Sequence, residues 1–165
     1  LGIHRHLFTG VFSEEIPVGK FRTVNITKKE PVLDGETVQY SSHFMIQDTL
    51  AYDFEREQNF SYAGLTNEQK ALHAMTFLAD IWQVHPFREG NTRTVAVFGI
   101  QYLRKLGFHI DNSLFSEHAA YFRNSLVFYH HHGEKQDKQF LKMFFENLLL
   151  GKKNVLLDED MYAKE

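Results

Sequence analysis

The window His85-Pro86-Phe87-Arg88-Glu89-Gly90-Asn91-Thr92-Arg93-Thr94 holds a base, a carboxylate, a Gly-Asn pair and an arginine. Attack on a phosphate ester uses all of these groups. The nucleophile must lose a proton, and an imidazole with an ordinary pKa near ~6.5 accepts one near neutral pH, which makes His85 the candidate base. A polyphosphate calls for a hard cation such as Mg2+, held by one or two carboxylates and by phosphate oxygens, which makes Glu89 the candidate metal ligand. Phosphate oxygens also need N–H donors at close range. Gly90 lets the backbone approach, Asn91 adds an amide, and the planar fork of Arg93 suits phosphate and leaving-group charge.

These groups act together only if the flanking elements hold them together. Thr66 reads as an N-cap, with Glu68 and Gln69 in the first turn. Leu72, Met75, Leu78, Ala79 and Trp82 then recur at helical spacing. The helix should end near Val84, because Pro86 disfavours helical geometry at His85. A second helix is predicted from about Asn91, with Val95, Phe98, Gly99, Tyr102, Leu103 and Leu106 as its apolar stripe and Gly107 just past its end. The window is thus a loop feeding a helix start, where unpaired N–H groups and the positive dipole end favour an anion.

Elsewhere the pattern is mostly helical. Residues 1–12 read as a helix or its end, and 41–60 carry helical content. Ser116 is the predicted cap of a helix running to about Tyr129. Gln136–Leu150 reads as a last helix, with Phe140, Met143, Phe144 and Leu148 facing inward. Phe21–Ile26 alternates apolar and polar residues and predicts a short strand. Val32 and Val38 flank Asp34-Gly35, a turn dipeptide that predicts a small hairpin over residues 31–40. Residues 151–165 read as a loose C-terminal extension or the start of a truncated following segment.

The 165 residues suffice for one domain with its own core. A net charge of -3 argues against nucleic acid as the partner of the whole domain. The absence of cysteine removes disulfides and thiolate metal sites and fits a cytoplasmic protein. No apolar run approaches the ~20 residues of a membrane span. With 16 phenylalanines, the core should be rich in aromatic rings.

The window resembles the signature of the Fic (filamentation induced by cAMP) family, His-x-Phe-x-Asp/Glu-Gly-Asn-Gly-Arg-x-x-Arg. Ile3–Phe8 and Gly19–Ile26 are similar to that family's opening helix and strand segments, so the likeness covers most of residues 1–150. The resemblance implies a mainly α, Fic-like helical bundle with a small β-hairpin flap, spanning 1–150. It implies a Mg2+-dependent protein adenylyltransferase that moves AMP from ATP to a Ser, Thr or Tyr hydroxyl of a target protein and releases pyrophosphate. Under it, His85 deprotonates the hydroxyl and Glu89 holds Mg2+ between the α- and β-phosphates. Gly90, Asn91 and Thr92 line the anion hole, and Arg93 neutralises the departing pyrophosphate. Phe87 is buried scaffold. The flap residues Lys29, Glu30, Pro31, Val32 and Leu33 dock the target by backbone pairing. The family resemblance also implies a bacterial source, with action in the cytoplasm of its own cell or, as an exported effector, of a host.

Two positions depart from the signature. Thr92 replaces the second glycine and should narrow the anion hole. Ala96 stands where the family's second arginine, which grips the γ-phosphate, would stand. The family's inhibitory motif, Ser/Thr-x-x-x-Glu-Gly/Asn, is not matched: four residues before Glu89-Gly90 and Glu146-Asn147 stand His85 and Lys142 rather than Ser or Thr. An inhibitory element would then come from upstream or from a separate inhibitory protein. Ala96 also motivates the alternatives: transfer of another phosphate-containing group on the same scaffold, or a weakly active nucleotide-binding interaction module. Other candidates read blandly. His130-His131-His132 is predicted to be a surface run ending a helix, His4 and His6 packing residues of the opening helix, Lys28 and Lys29 a solvated turn, and Asp158–Asp160 a solvent-facing tail.

Overall fold

The computed structural model describes residues 1–162; residues 163–165 of the expected extension lie outside them. Seven α-helices make up the described chain: α1 (Gly2–Phe8), α2 (Ile46–Gln58), α3 (Asn67–Val84), α4 (Asn91–Lys105), α5 (Ser113–Glu117), α6 (Ala119–His130) and α7 (Gln139–Leu150). Among the described residues there is no strand, and no helix is long and apolar enough to cross a membrane.

Helix α3 is the centre, packed by α2, α4, α6 and α7. It starts where its cap chemistry says it should. The Thr66 hydroxyl accepts from the Gln69 N–H at 3.2 Å, while the Gln69 side chain accepts from the Thr66 N–H at 2.9 Å, so each end satisfies an orphan donor of the other. Small residues let the neighbours close in: Ala74 and Ala79 are fully buried, and Gly99 of α4 leaves room for Leu78, which an added Cβ would meet at 3.0 Å. Trp82, Phe122, Phe144 and Phe145 fill the interior as the aromatic composition anticipated. Leu72, read as part of the α3 stripe, is instead 54% exposed.

Several expectations are corrected. Residues 21–26 are irregular, with a bend at Thr23 and Val24, and form no strand, since no neighbouring strand offers a ladder; the Arg22 N–H donates to the Pro86 carbonyl instead, at 2.8 Å. The hairpin flap is absent too. Asp34 and Gly35 do take positive φ, 54° and 89°, but the turn closes at once on Glu30, whose N–H donates to Glu36 O and whose carbonyl accepts from Gly35 N–H. Pro31, which has no N–H to give a ladder, opens a single 3-10 turn at Pro31–Leu33 instead. Val32 and Leu33 plug into the core, and Glu30 is fully buried. Of the five expected flap residues, only Lys29 and Pro31 expose their side chains.

Ser116 caps nothing; it lies inside α5, its hydroxyl donating to Ser113 O, and His118 separates α5 from α6. The histidine run does end a helix, α6, but only His132 is exposed, while His130 and His131 are buried. His130 Nε2–H donates to the Ala79 carbonyl at 2.8 Å. The described part of the tail is packed. Asn147 and Asn154 exchange two hydrogen bonds of 2.8 Å, Asn124 donates to Asp158, and Leu156 and Met161 join the core.

Candidate active site

The corner between α3 and α4 is held from every side. His85 ends α3 in the left-handed region, φ 51°, a conformation that costs an ordinary L-residue roughly 1–2 kcal/mol. Arg22 explains how it persists. This guanidinium is almost fully buried, and it donates to the carbonyls of His85 (2.8 Å), Val24 (2.7 Å), Val84 and Ser41. Asn91 staples the loop from within: its carbonyl oxygen accepts from Phe87 N–H at 2.9 Å, and its amide donates back to Phe87 O at 2.7 Å. The Asn91 side chain is therefore spent on the loop. Its backbone N–H, at the first turn of α4, is what remains for an anion.

Helix α1 supplies the third support. His4 is fully buried and its ring stacks on Phe87 at 3.9 Å. Its Nε2–H donates to the Glu89 carbonyl, and its Nδ1 accepts from Gly19 N–H. Burial lowers its pKa, so the ring stays neutral with both nitrogens engaged. Phe8 explains Gly90 as strongly as any phosphate does: a Cβ there would lie 2.5 Å from the Phe8 ring, at φ 78°.

A cleft of about 160 Å³ opens at this corner. The loop lines it with His85, Glu89, Gly90, Asn91, Thr92 and Arg93, so the sequence-predicted base, carboxylate, anion-hole residues and arginine share one space. Lys28, Tyr40, Trp82 and Arg123 complete the wall from outside the loop. Lys28 is thus no solvated turn; its ammonium lies 3.5 Å from the Glu89 carboxylate. The Trp82 indole N–H donates to the Thr92 hydroxyl at 2.9 Å, which ties that hydroxyl to the wall. The Arg93 guanidinium sits 4.7 Å above the Phe8 ring on the open side. The 29–33 segment is not part of this lining.

The electrostatics favour a neutral base. His85 Nδ1 lies 3.3 Å from the Trp82 carbonyl, which selects the Nδ1–H tautomer, and Nε2 is buried with no partner. The Tyr40 ring stacks on the imidazole at 4.0 Å. Burial first, then the charge of Lys28, pulls the His85 pKa down to about 3, with Arg22 and Arg123 adding to the push. Tyr40 is shifted the other way by its burial and by Glu30, which holds the phenol protonated. Among the described residues no group of three or more His, Asp or Glu side chains could hold a metal. Glu89, half exposed at the cleft, is the single carboxylate placed to meet a cation there. That suits a hard cation which draws its other ligands from phosphate oxygens and water.

Arg22, Tyr40 and Arg123 are the residues that reading the sequence missed, whereas His4 packs from the opening helix as expected and adds two hydrogen bonds to the loop and its neighbour. None belongs to the window; the one signal for any of them was the likeness of Gly19–Ile26 to the family, which includes Arg22.

A model of the Fic/DOC family matches residues 1–103, more than half of the chain. Protein adenylyltransferase VbhT of Bartonella schoenbuchensis is 31% identical over 109 residues, covering 66% of this chain and 21% of that protein. The probable protein adenylyltransferase y4lH of Sinorhizobium fredii is 31% identical over 121 residues, covering 67% of this chain and 54% of its own length. The chain therefore spans about a fifth and about half of these two relatives. Among solved structures, the N-terminal Fic domain of a putative cell filamentation protein (VirB-translocated Bep effector protein) from Bartonella quintana superposes with a TM-score of 0.56 at 22% identity, covering 89% of this chain and 67% of that one. That likeness concerns the fold.

Proposed function

The chain belongs to the Fic/DOC family, and we propose that it is a protein adenylyltransferase that moves AMP from ATP to a hydroxyl of a target protein. The observation that carries this reading is His85 Nε2: neutral, unpaired, buried, and facing a cleft that opens on a helix N-terminus. A buried acceptor without a donor costs roughly 1–3 kcal/mol, and a target hydroxyl is the donor that would relieve it.

The proposed steps use the groups that line the cleft. The target hydroxyl donates to Nε2 and its oxygen attacks the α-phosphorus. The proton passes to Nε2, the bond from the α-phosphorus to the bridging oxygen breaks, and pyrophosphate departs. Backbone N–H groups of Asn91, Thr92 and Arg93 at the start of α4 take the α-phosphate oxygens. Gly90 leaves them room, and the Arg93 side chain neutralises the leaving charge. Glu89 would hold Mg2+, which supplies charge neutralisation across the phosphates; to do so it must exchange its Lys28 partner for the cation. Nε2 has no exposed surface, so the target reaches it only as its cover shifts, and Tyr40 belongs to that cover. The docking role of the 29–33 segment rests on Lys29 and Pro31. A cytoplasm, of its own cell or of a host, would supply the ATP.

The test is incubation of the wild type and His85→Ala with α-labelled ATP, Mg2+ and candidate targets, or with the chain alone for self-labelling. Loss of about 10²–10⁴-fold in rate is expected for removal of a general base. Unchanged labelling removes His85 from that role. Ala96 favours one second reading, transfer of a different phosphate-containing group, and the mass of the adduct decides between the two.

A further inference from the structure

The cleft holds a cation that the loop does not encode. The loop carries a single guanidinium in the cleft, Arg93, and it leans on Phe8 at the α1 side. One turn further along α4, Ala96 carries no charge and is packed against the core. A triphosphate with only Arg93 and Lys28 beside it would be poorly compensated. Helix α6 brings a third cation into the same space from far along the chain, Arg123.

We propose that Arg123 is a phosphate-binding residue of this cleft, contacting the terminal phosphates of a nucleoside triphosphate, and that buried Glu30 is its positioning partner. The inference rests on the adenylyltransferase reading and adds a residue to it. Arg123 Nη2 donates to Glu30 Oε2, and Nη1 donates to Asn124 Oδ1 at 3.0 Å. A guanidinium has five N–H donors, so three remain, on a side chain that is 37% exposed at the cleft. Glu30 is fully buried, and an isolated buried carboxylate is strongly unfavourable. Its charge therefore fixes the guanidinium in one place, while the Tyr40 hydroxyl, 3.4 Å from Glu30 Oε1, braces the other oxygen. The cation is close enough to the base to be felt there, since it contributes to holding the His85 imidazole neutral.

A purely structural ion pair would leave nucleotide selectivity alone, and this separates the two roles. ATP, ADP and AMP are titrated calorimetrically, with Mg2+, against the wild type, Arg123→Lys, Glu30→Gln and the double variant Glu30→Gln/Arg123→Gln. The double variant removes the cation without orphaning a buried carboxylate, so its fold does not depend on the lost pair. Relative to Glu30→Gln, the double variant should bind ATP about tenfold more weakly and AMP within about twofold, with Arg123→Lys in between. Provided the wild type binds ATP, equal weakening for ATP and AMP, or an ATP affinity of the double variant equal to that of Glu30→Gln, overturns the assignment of Arg123 alone. A folded wild type that binds no ATP overturns the adenylyltransferase reading and this one with it.

Discussion

The loop 85–93 and the segment 20–42 face each other across one cleft and are built on opposite principles. The loop is short, flanked by two long helices, and nearly every group in it has a local reason: Pro86 stops a helix, Gly90 starts one, and Asn91 bonds back to Phe87. The segment has no regular element beyond one turn, and yet it supplies Arg22, Lys28, Glu30 and Tyr40. The loop carries the groups suited to reaction, whereas the segment sets their conformation, charge state and access. A site can therefore be half motif and half irregular chain, with the second half invisible to periodicity.

Removing Arg22 should break this division most severely. Arg22→Ala leaves the carbonyls of His85, Val84, Val24 and Ser41 without their shared donor, at ~1–3 kcal/mol for each that stays buried and dry. A loss of at least ~3 kcal/mol in urea unfolding is expected, although the residue lies outside the loop. A loss below ~1 kcal/mol would show that the loop holds its own shape.

Acid sharpens the same comparison. His85, at about 3, and His130, at about 4, both bind protons more weakly folded than at the ordinary histidine value of 6.5. The unfolded chain then takes up more protons below that value, so stability is complete above pH ~6.5 and falls as pH drops toward 4. Asp80, raised to about 6 mainly by burial, acts in the opposite sense but is more exposed. A net loss of roughly 3 kcal/mol between pH 6.5 and pH 4.5 should appear in denaturant midpoints. In kinetics, labelling should lack an acid limb near pH 6.5, since the base is already neutral there; such a limb would mean that His85 is solvated in the working state.

Gly90→Ala tests the α1 side. Its Cβ would strike the Phe8 ring at a backbone angle that disfavours alanine, so a cost of ~2 kcal/mol is expected. Adding Phe8→Leu should recover part of it; no recovery would assign the whole cost to the backbone angle. The smallest effect belongs to Thr92→Val, which deletes the acceptor of the Trp82 N–H. About 1 kcal/mol in stability is expected, with labelling reduced only slightly, and a collapse of labelling would give the Thr92 hydroxyl, and not only its backbone N–H, a part in the anion hole.

Local chemistry made much of the molecule legible. Thr66 and Gln69 announced α3, Pro86 its end, and Gly107 the end of α4, because caps and helix breakers act within a few residues of themselves. The grouping of His85, Glu89, Gly90 and Arg93 around one cleft was legible for the same reason: a tight corner between two helices leaves its side chains few directions. The hairpin was misread because Asp34-Gly35 specifies a turn but not what the flanking residues pair with, and Val32 and Leu33 gain more by entering the core than by forming a ladder. His130 and His131 were misread because a polar run on a helix is buried or exposed according to what packs on it.

The order of residues alone thus determined where helices start and stop and which reactive groups share a corner, since those depend on neighbours in the chain. Tertiary structure decided that the imidazole is neutral, that an arginine from α6 enters the cleft and that Arg22 grips the loop. Desolvation and long-range pairing exist only once distant segments have come together.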